Sequence, residues 1–168
     1  MDIKKLTIFS LLTIVASIIS LLIIRIILKK QRKRSTTGGA IHLAFAVSFI
    51  GCVAGATFIN IKLLTILNEL LDISYRINAK NTLLSIYKNS SFLIGLANVW
   101  FVIWYFIAQA VSNLIVPGRN EIAEAENNNQ AYFLIRAAIL TCFIICSIPV
   151  LEMLLRSFLP AIETPIYH

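Results

Sequence analysis

Four long apolar stretches dominate the chain: Leu6 to Leu28, Ala40 to Asn60, Phe92 to Val116 and Ala131 to Leu159. A hydrocarbon layer about 30 Å thick is crossed by about 20 helical residues rising about 1.5 Å each, so every one of these stretches is long enough to span it. A backbone in lipid must satisfy its own hydrogen bonds, and segments of this length do so as helices. Composition agrees: 58% of the 168 residues are apolar, 14% are charged, and the mean hydropathy is +0.84. Soluble domains lie near roughly 45 to 50% apolar and about 25% charged. The sequence therefore predicts an all-α integral membrane four-helix bundle, a single transmembrane domain over 1–168. Little chain is left for a separate catalytic domain.

The first stretch follows Lys4 and Lys5, as a secretory signal would. It is longer than a signal's apolar core, and basic residues rather than small ones follow it, so a retained helix is expected. Those residues, Lys29, Lys30, Arg32, Lys33 and Arg34, form a basic loop directly after the span, where the positive-inside rule weighs most. The first and third loops are then cytoplasmic, and both termini and the segment 61–90 are on the outer side. Lys4, Lys5, Lys62, Arg76, Lys80 and Lys88 oppose this orientation, as does the third loop, which sets only Arg119 against Glu121, Glu124 and Glu126. The net charge of +7 reads as topology and headgroup contact, with no nucleic-acid partner implied.

Between the second and third spans, Leu63, Ile66, Leu67, Leu70, Ile73 and Ile77 recur at helical spacing, opposite Asn68, Glu69, Asp72 and Arg76. This predicts an extra amphipathic helix within 61–90, lying on the headgroups or burying its face against the bundle. A short apolar stretch, Leu83 to Tyr87, follows Asn78 and Asn81. The third loop opens with the helix-stopping Pro117 and Gly118 and continues as a short acidic helix ending in Asn127 to Gln130. It reads as a solvated link or as a face for a cytoplasmic partner.

Span two is the most patterned segment. Ala44, Ser48, Cys52 and Ala56 recur every fourth residue after Ala40, beside Gly51 and Gly55. Small residues at this spacing let helix backbones approach closely, so Ala44, Ser48, Gly51, Cys52 and Gly55 are the expected helix-packing interface. Its partner is a helix of this chain or of a second copy. Polar residues inside spans are candidate functional groups because their burial is costly. Asn98, Tyr105, Gln109 and Asn113 share a face of span three. With Glu152 and Arg156 of span four, they mark either a polar path or interhelical hydrogen bonding. Glu152 and Arg156, at i and i+4, are placed to pair. Arg136, close to a span end, reads as a snorkelling side chain, and Pro149 as a kink.

The cysteines, Cys52, Cys142 and Cys146, all fall in spans and read as small apolar side chains. His42 and His168 have no companions at ligand spacing, so no metal site is expected, and no cofactor. No nucleophile–base set, paired carboxylates or phosphate-binding loop is present in the sequence, which points away from an enzyme.

The chain divides into two units of span, polar loop, span. The second span of each follows a polar lead: Ser35 to Gly39 before Ala40, and Asn127 to Gln130 before Ala131. With Leu43, Ala44, Phe45 and Gly51 in the first unit, this resembles the small bacterial inner-membrane family typified by YjfL. The chain departs from that pattern by having no glycine in span four and by the long 61–91 insertion. In size and topology it also resembles the membrane subunit of phage-defence systems such as Kiwa, and colicin immunity proteins. These resemblances imply a multi-pass protein of the bacterial cell inner membrane that acts with stress-response or defence partners; the small-residue stripe adds the expectation of a homo-oligomer, and the basic and acidic inner loops that of a cytoplasmic protein partner. The protein would act as the anchor or sensor of an envelope-stress or phage-defence complex. The alternatives are a channel or transporter subunit, with a polar path near Asn98, Gln109 and Glu152, and an immunity protein against a pore-forming toxin.

Overall fold

A computed structural model describes residues 3–34, 36–37, 40–77, 82–118 and 120–160. The elements are α1 (Ile3–Ile27), α2 (Lys29–Arg34), a minimal antiparallel pair β1 (Thr36–Thr37) and β2 (Ala40–Ile41), α3 (Leu43–Ile77), α4 (Thr82–Ile115), α5 (Glu121–Glu126) and α6 (Gln130–Arg156). Arg119, Asn78, Lys80, Asn81, His168 and the Ser35 and Gly38–Gly39 part of the first polar lead lie outside the described residues. The protein is an all-α bundle in which α1, α3, α4 and α6 are long and apolar enough to cross a membrane. Ile18, Ile26, Ile50, Val99, Ile103, Phe106, Leu134 and Val150 point outward and exposed. An apolar girdle on that scale is disfavoured in water and suited to acyl chains.

The helix boundaries depart from the expected spans at one end. Span two does not stop at Asn60: α3 runs unbroken for 35 residues, about 52 Å, well beyond the hydrocarbon thickness. Span three likewise begins at Thr82 rather than Phe92. The amphipathic helix is therefore real but is not a separate element lying flat. It is the second half of α3, paired with the first turns of α4 as a helical hairpin. The cause is continuity: no Gly or Pro interrupts Asn60 to Ile77, and Leu63, Ile66, Leu67 and Leu70 are all fully buried in the main core. Burying that stripe is a stronger drive than letting it float on headgroups.

α3 is the central helix. It packs most extensively on α6 and also contacts α4 and α1. A Cβ added at Gly51 would overlap the Ala137 Cβ and sit 3.0 Å from its Cα, and one at Gly55 would lie 2.6 Å from Ile144 Cδ1. Ala44, Ser48 and Cys52 are buried as well. The glycines of the small-residue stripe therefore serve close approach of α3 to α6 within one chain.

A polar node ties three spans together in mid-bundle. Ser20 of α1 donates to Asn98 Oδ1 of α4 (3.0 Å) and accepts from Asn60 Nδ2 of α3 (3.1 Å), while Asn98 Nδ2 donates to its own helix at Ile94 O (2.8 Å). On the other side, Trp100 Nε1 donates to Ser147 Oγ of α6 (3.2 Å). α6 continues as helix through Pro149 to Arg156.

Candidate functional site

The main concentration of buried polar chemistry lies where α2, α4, α5 and the start of α6 meet. Pro117 and Gly118 end the turn after α4, and Asn120 then caps α5 by accepting from Ile122 N (3.0 Å). The cap sets Glu121 at the first position of α5, facing the bundle. Its carboxylate receives three side chains from three elements: Arg136 Nη1 of α6 at 2.7 Å, Gln31 Nε2 of α2 at 2.9 Å and Gln109 Nε2 of α4 at 2.8 Å. Arg136 also stacks over the Tyr105 ring, with its Cζ 4.8 Å from the centroid.

This corrects two sequence readings. Arg136 does not snorkel: it is 4% exposed, neither Nη1 nor Nη2 makes a hydrogen bond among the described residues, and Glu121 meets it as an ion pair. Glu121 is not part of a solvated link, because α5 folds back against the bundle and delivers the carboxylate to the arginine. The pairing follows from solvation: an arginine held this far inside requires a counter-charge, and Glu121 is the carboxylate within reach. The polyasparagine run is likewise structural. Asn129 caps α6 by accepting from Tyr132 N (3.3 Å) and donates to Glu124 Oε2, Asn128 takes a left-handed backbone (φ 52°), and Asn128 Oδ1 accepts from Ala44 N at the start of α3 (2.9 Å). A second small core of Ala44, Ala125, Tyr132 and Phe133 closes this corner.

Beside the Glu121 carboxylate lies a cavity of about 490 Å³, lined by Gln31, Tyr105, Gln109, Asn113, Asn120 and Glu121 among the polar residues, with Ile27, Phe106 and Ile122. Gln31, 4% exposed, leaves its Oε1 without a partner there. Tyr132 donates to Asn113 Oδ1 (3.3 Å) at the rim.

The expected polar path is thus divided. Tyr105, Gln109 and Asn113 do converge on this cavity. Asn98 belongs to the mid-bundle node. Glu152 and Arg156 lie at the opposite end, since the sixteen-residue separation of Arg136 and Glu152 on α6 spans about 24 Å. There Glu152 meets Lys62 (3.3 Å) and Arg156 (3.1 Å), Arg156 also meets Glu69 (2.8 Å), and Lys5 of α1 pairs with Asp72. That network, supplied by α1, α3 and α6, clamps the hairpin to the bundle. Glu152 and Arg156 pair as their spacing predicts, in a wider set than either spacing or periodicity reveals.

Of the basic loop, Lys29, Arg32 and Lys33 are exposed on α2, while the side chains of Lys30 and Arg34 lie outside the described set. Cys142 and Cys146 face outward and Cys52 is buried. Among the described residues no group of three or more His, Cys, Asp and Glu side chains gathers as a metal site would require. The cluster around Glu121 is built from amides, a phenol and an ion pair. Such groups can recognise and hold a partner group through hydrogen bonds and charge. Gln31 and Arg136 are the functional candidates that sequence reasoning missed. The available signal was Arg136 itself, a charge more than a turn inside a span with no partner on its own helix. No family model, curated protein or solved structure matches the chain.

Proposed function

We propose that the protein is a non-catalytic, multi-pass inner-membrane component that anchors or signals to a cytoplasmic partner through the surface made by α2 and α5. The observation that carries this reading is the buried Arg136–Glu121 pair, which holds an otherwise surface-lying helix to the membrane bundle. Acidic α5 packs against basic α2, giving one charged platform at the end of the bundle that the positive-inside rule assigns to the cytoplasm. Because Glu121 binds α2, α4 and α6 together, a shift in helix packing in the membrane would be felt directly by α5. An envelope-stress or defence role, in a homo-oligomer, is the biological setting this reading suits. The test is a photo-crosslinking residue introduced at exposed Ala123 of α5 or at exposed Lys88 of α4, in cells. Adducts with a discrete soluble protein from position 123 alone, weakened by Glu121→Gln, are expected. Adducts from position 88 alone, or from neither, overturn the reading.

A second reading is favoured by one observation, the convergence of Tyr105, Gln109 and Asn113 on the cavity of about 490 Å³. A cavity of this size is in the range that holds small solutes, about 300 to 1,000 Å³, and would suit a transporter or channel subunit. Flux into vesicles containing the purified protein, lost in Gln109→Leu, is the result this reading requires.

A further inference from the structure

Two neighbouring groups on the wall of the cavity of about 490 Å³ keep unused acceptor capacity. The first is Gln31, 4% exposed, whose Nε2 donates to Glu121 and whose Oε1 has no hydrogen-bond partner among the described residues. A carbonyl oxygen shut away from bulk water without a donor is costly, and native proteins hold few of them. The second is Glu121. A carboxylate offers about four lone-pair sites. Gln31 and Gln109 each donate to one oxygen of this carboxylate, and Arg136 meets it as an ion pair, which leaves room for a further donor. Because the Gln31 amide is bonded to the Glu121 carboxylate, a donor that reaches one stands beside the other.

The rest of the wall is mixed, with apolar surface from Ile27, Phe106 and Ile122. An anionic ligand would be repelled by the Glu121 carboxylate. Water could donate to both acceptors but would gain nothing from the apolar side, and a bare metal ion would leave most of the volume unfilled. We infer that the cavity is a binding site for a primary ammonium group on a short apolar arm, the nitrogen donating to Glu121 and to Gln31 Oε1 and the arm lying against Ile27, Phe106 and Ile122. An ammonium brings three donors and no acceptor, which suits two adjacent acceptors, and its hydrogen bonds to a carboxylate are of the stronger, charge-assisted kind. Arg136 does not line the cavity, so the ammonium reaches the carboxylate without meeting the guanidinium. The cavity opens where α1 ends and α5 begins, so the same ammonium chemistry can come from a soluble amine or from a lipid headgroup. The site shares its cavity with the transport reading above but requires no passage: a chain that binds the amine and transports none upholds the site and sinks that reading.

The experiment varies the donors at constant charge. Isothermal titration of the purified full chain in detergent, against empty micelles, compares butylamine with butyltrimethylammonium, which share charge and chain but not N–H groups. Native mass spectrometry of the same preparation compares phosphatidylethanolamine with phosphatidylcholine, the corresponding pair of headgroups on a lipid. Hydrogen bonds from a charged donor predict a preference of at least about tenfold for the primary amine, in the first arm if the source is soluble and in the second if it is a lipid. Gln31→Met keeps the length of the side chain and leaves Glu121 its contacts with Arg136 and Gln109. It should bring the members of the pair within about threefold of each other, while Lys88→Gln, on the hairpin, should leave the preference intact. If Gln31→Met does not fold, the wild-type chain still decides, because affinity should fall stepwise from the primary to the dimethyl to the trimethyl amine. Binding in neither arm, equal binding across the methylation series in both arms, or a preference that Gln31→Met leaves untouched each overturns the site.

Discussion

Arg136 Nη1 lies 2.7 Å from Glu121 Oε1, one residue in a membrane-length helix and the other at the start of a six-residue surface helix. The two side chains are unequally protected. The Arg136 side chain is 5% exposed and that of Glu121 21%, and the Glu121 carboxylate accepts hydrogen bonds from Gln31 and Gln109.

That inequality predicts an asymmetric response to mutation. Glu121→Ala strands a buried guanidinium and should cost about 3 to 5 kcal/mol. Arg136→Gln leaves a carboxylate that retains two amide donors and partial solvent contact, so its cost should be clearly smaller. Thermal unfolding in detergent, followed by circular dichroism, checks the order. Equal losses would mean that the pair does not organise the site.

The two glycines of α3 should also differ. An added methyl at Gly51 runs into the Cβ and backbone of Ala137, which cannot move alone, whereas at Gly55 it meets the free end of the Ile144 side chain. Gly51→Ala should destabilise by about 1 to 3 kcal/mol through overpacking. Gly55→Ala should be near neutral, because a rotamer change in Ile144 and the better helix propensity of alanine, up to about 1 kcal/mol, work against the clash. Both variants should keep the oligomeric state of the wild type on size-exclusion chromatography, since the glycines face α6 of their own chain.

The mid-bundle node should act as a unit. Ser20→Ala and Asn98→Ala are each expected to cost about 0.6 to 2 kcal/mol, the range of interhelical hydrogen bonds in membranes. A double-mutant cycle should return a coupling energy clearly above zero. Strict additivity would remove the node from the account of how α1, α3 and α4 are joined.

Glu152→Gln tests where a solute path would run. Its partners Lys62 and Arg156 are substantially exposed, so the loss should be small and should vanish at high salt. If the protein passes a solute by the cavity near Gln109, flux should survive Glu152→Gln and fail in Gln109→Leu. The reverse pattern would place the path at the hairpin end.

Much of the architecture is readable from the residues alone, for a physical reason. Lipid leaves a long apolar segment one economical backbone conformation, so α1 and α6 fall within a turn or so of their expected limits, and Pro117 with Gly118 marks the end of α4. Where polarity returns, the signal weakens. The periodic leucines from Leu63 to Leu70 specify a helix with a buried face, and only the packed neighbours decide that it continues α3 instead of lying apart. Small residues from Ala44 to Ala56 state that a backbone must come close but do not say whose. The identity of α6 as that backbone is a three-dimensional fact. The same holds for charge. Arg136, read along its own helix, has no partner and looks like a snorkelling side chain, while Glu121 looks like a solvated acid. Their meeting depends on α5 folding back against the bundle, and it is long-range. A sequence pattern records the spacing of neighbours along one helix. It holds no record of which loop returns to neutralise a charge, and that choice, made by the cost of burying an unpaired ion, belongs to the tertiary structure.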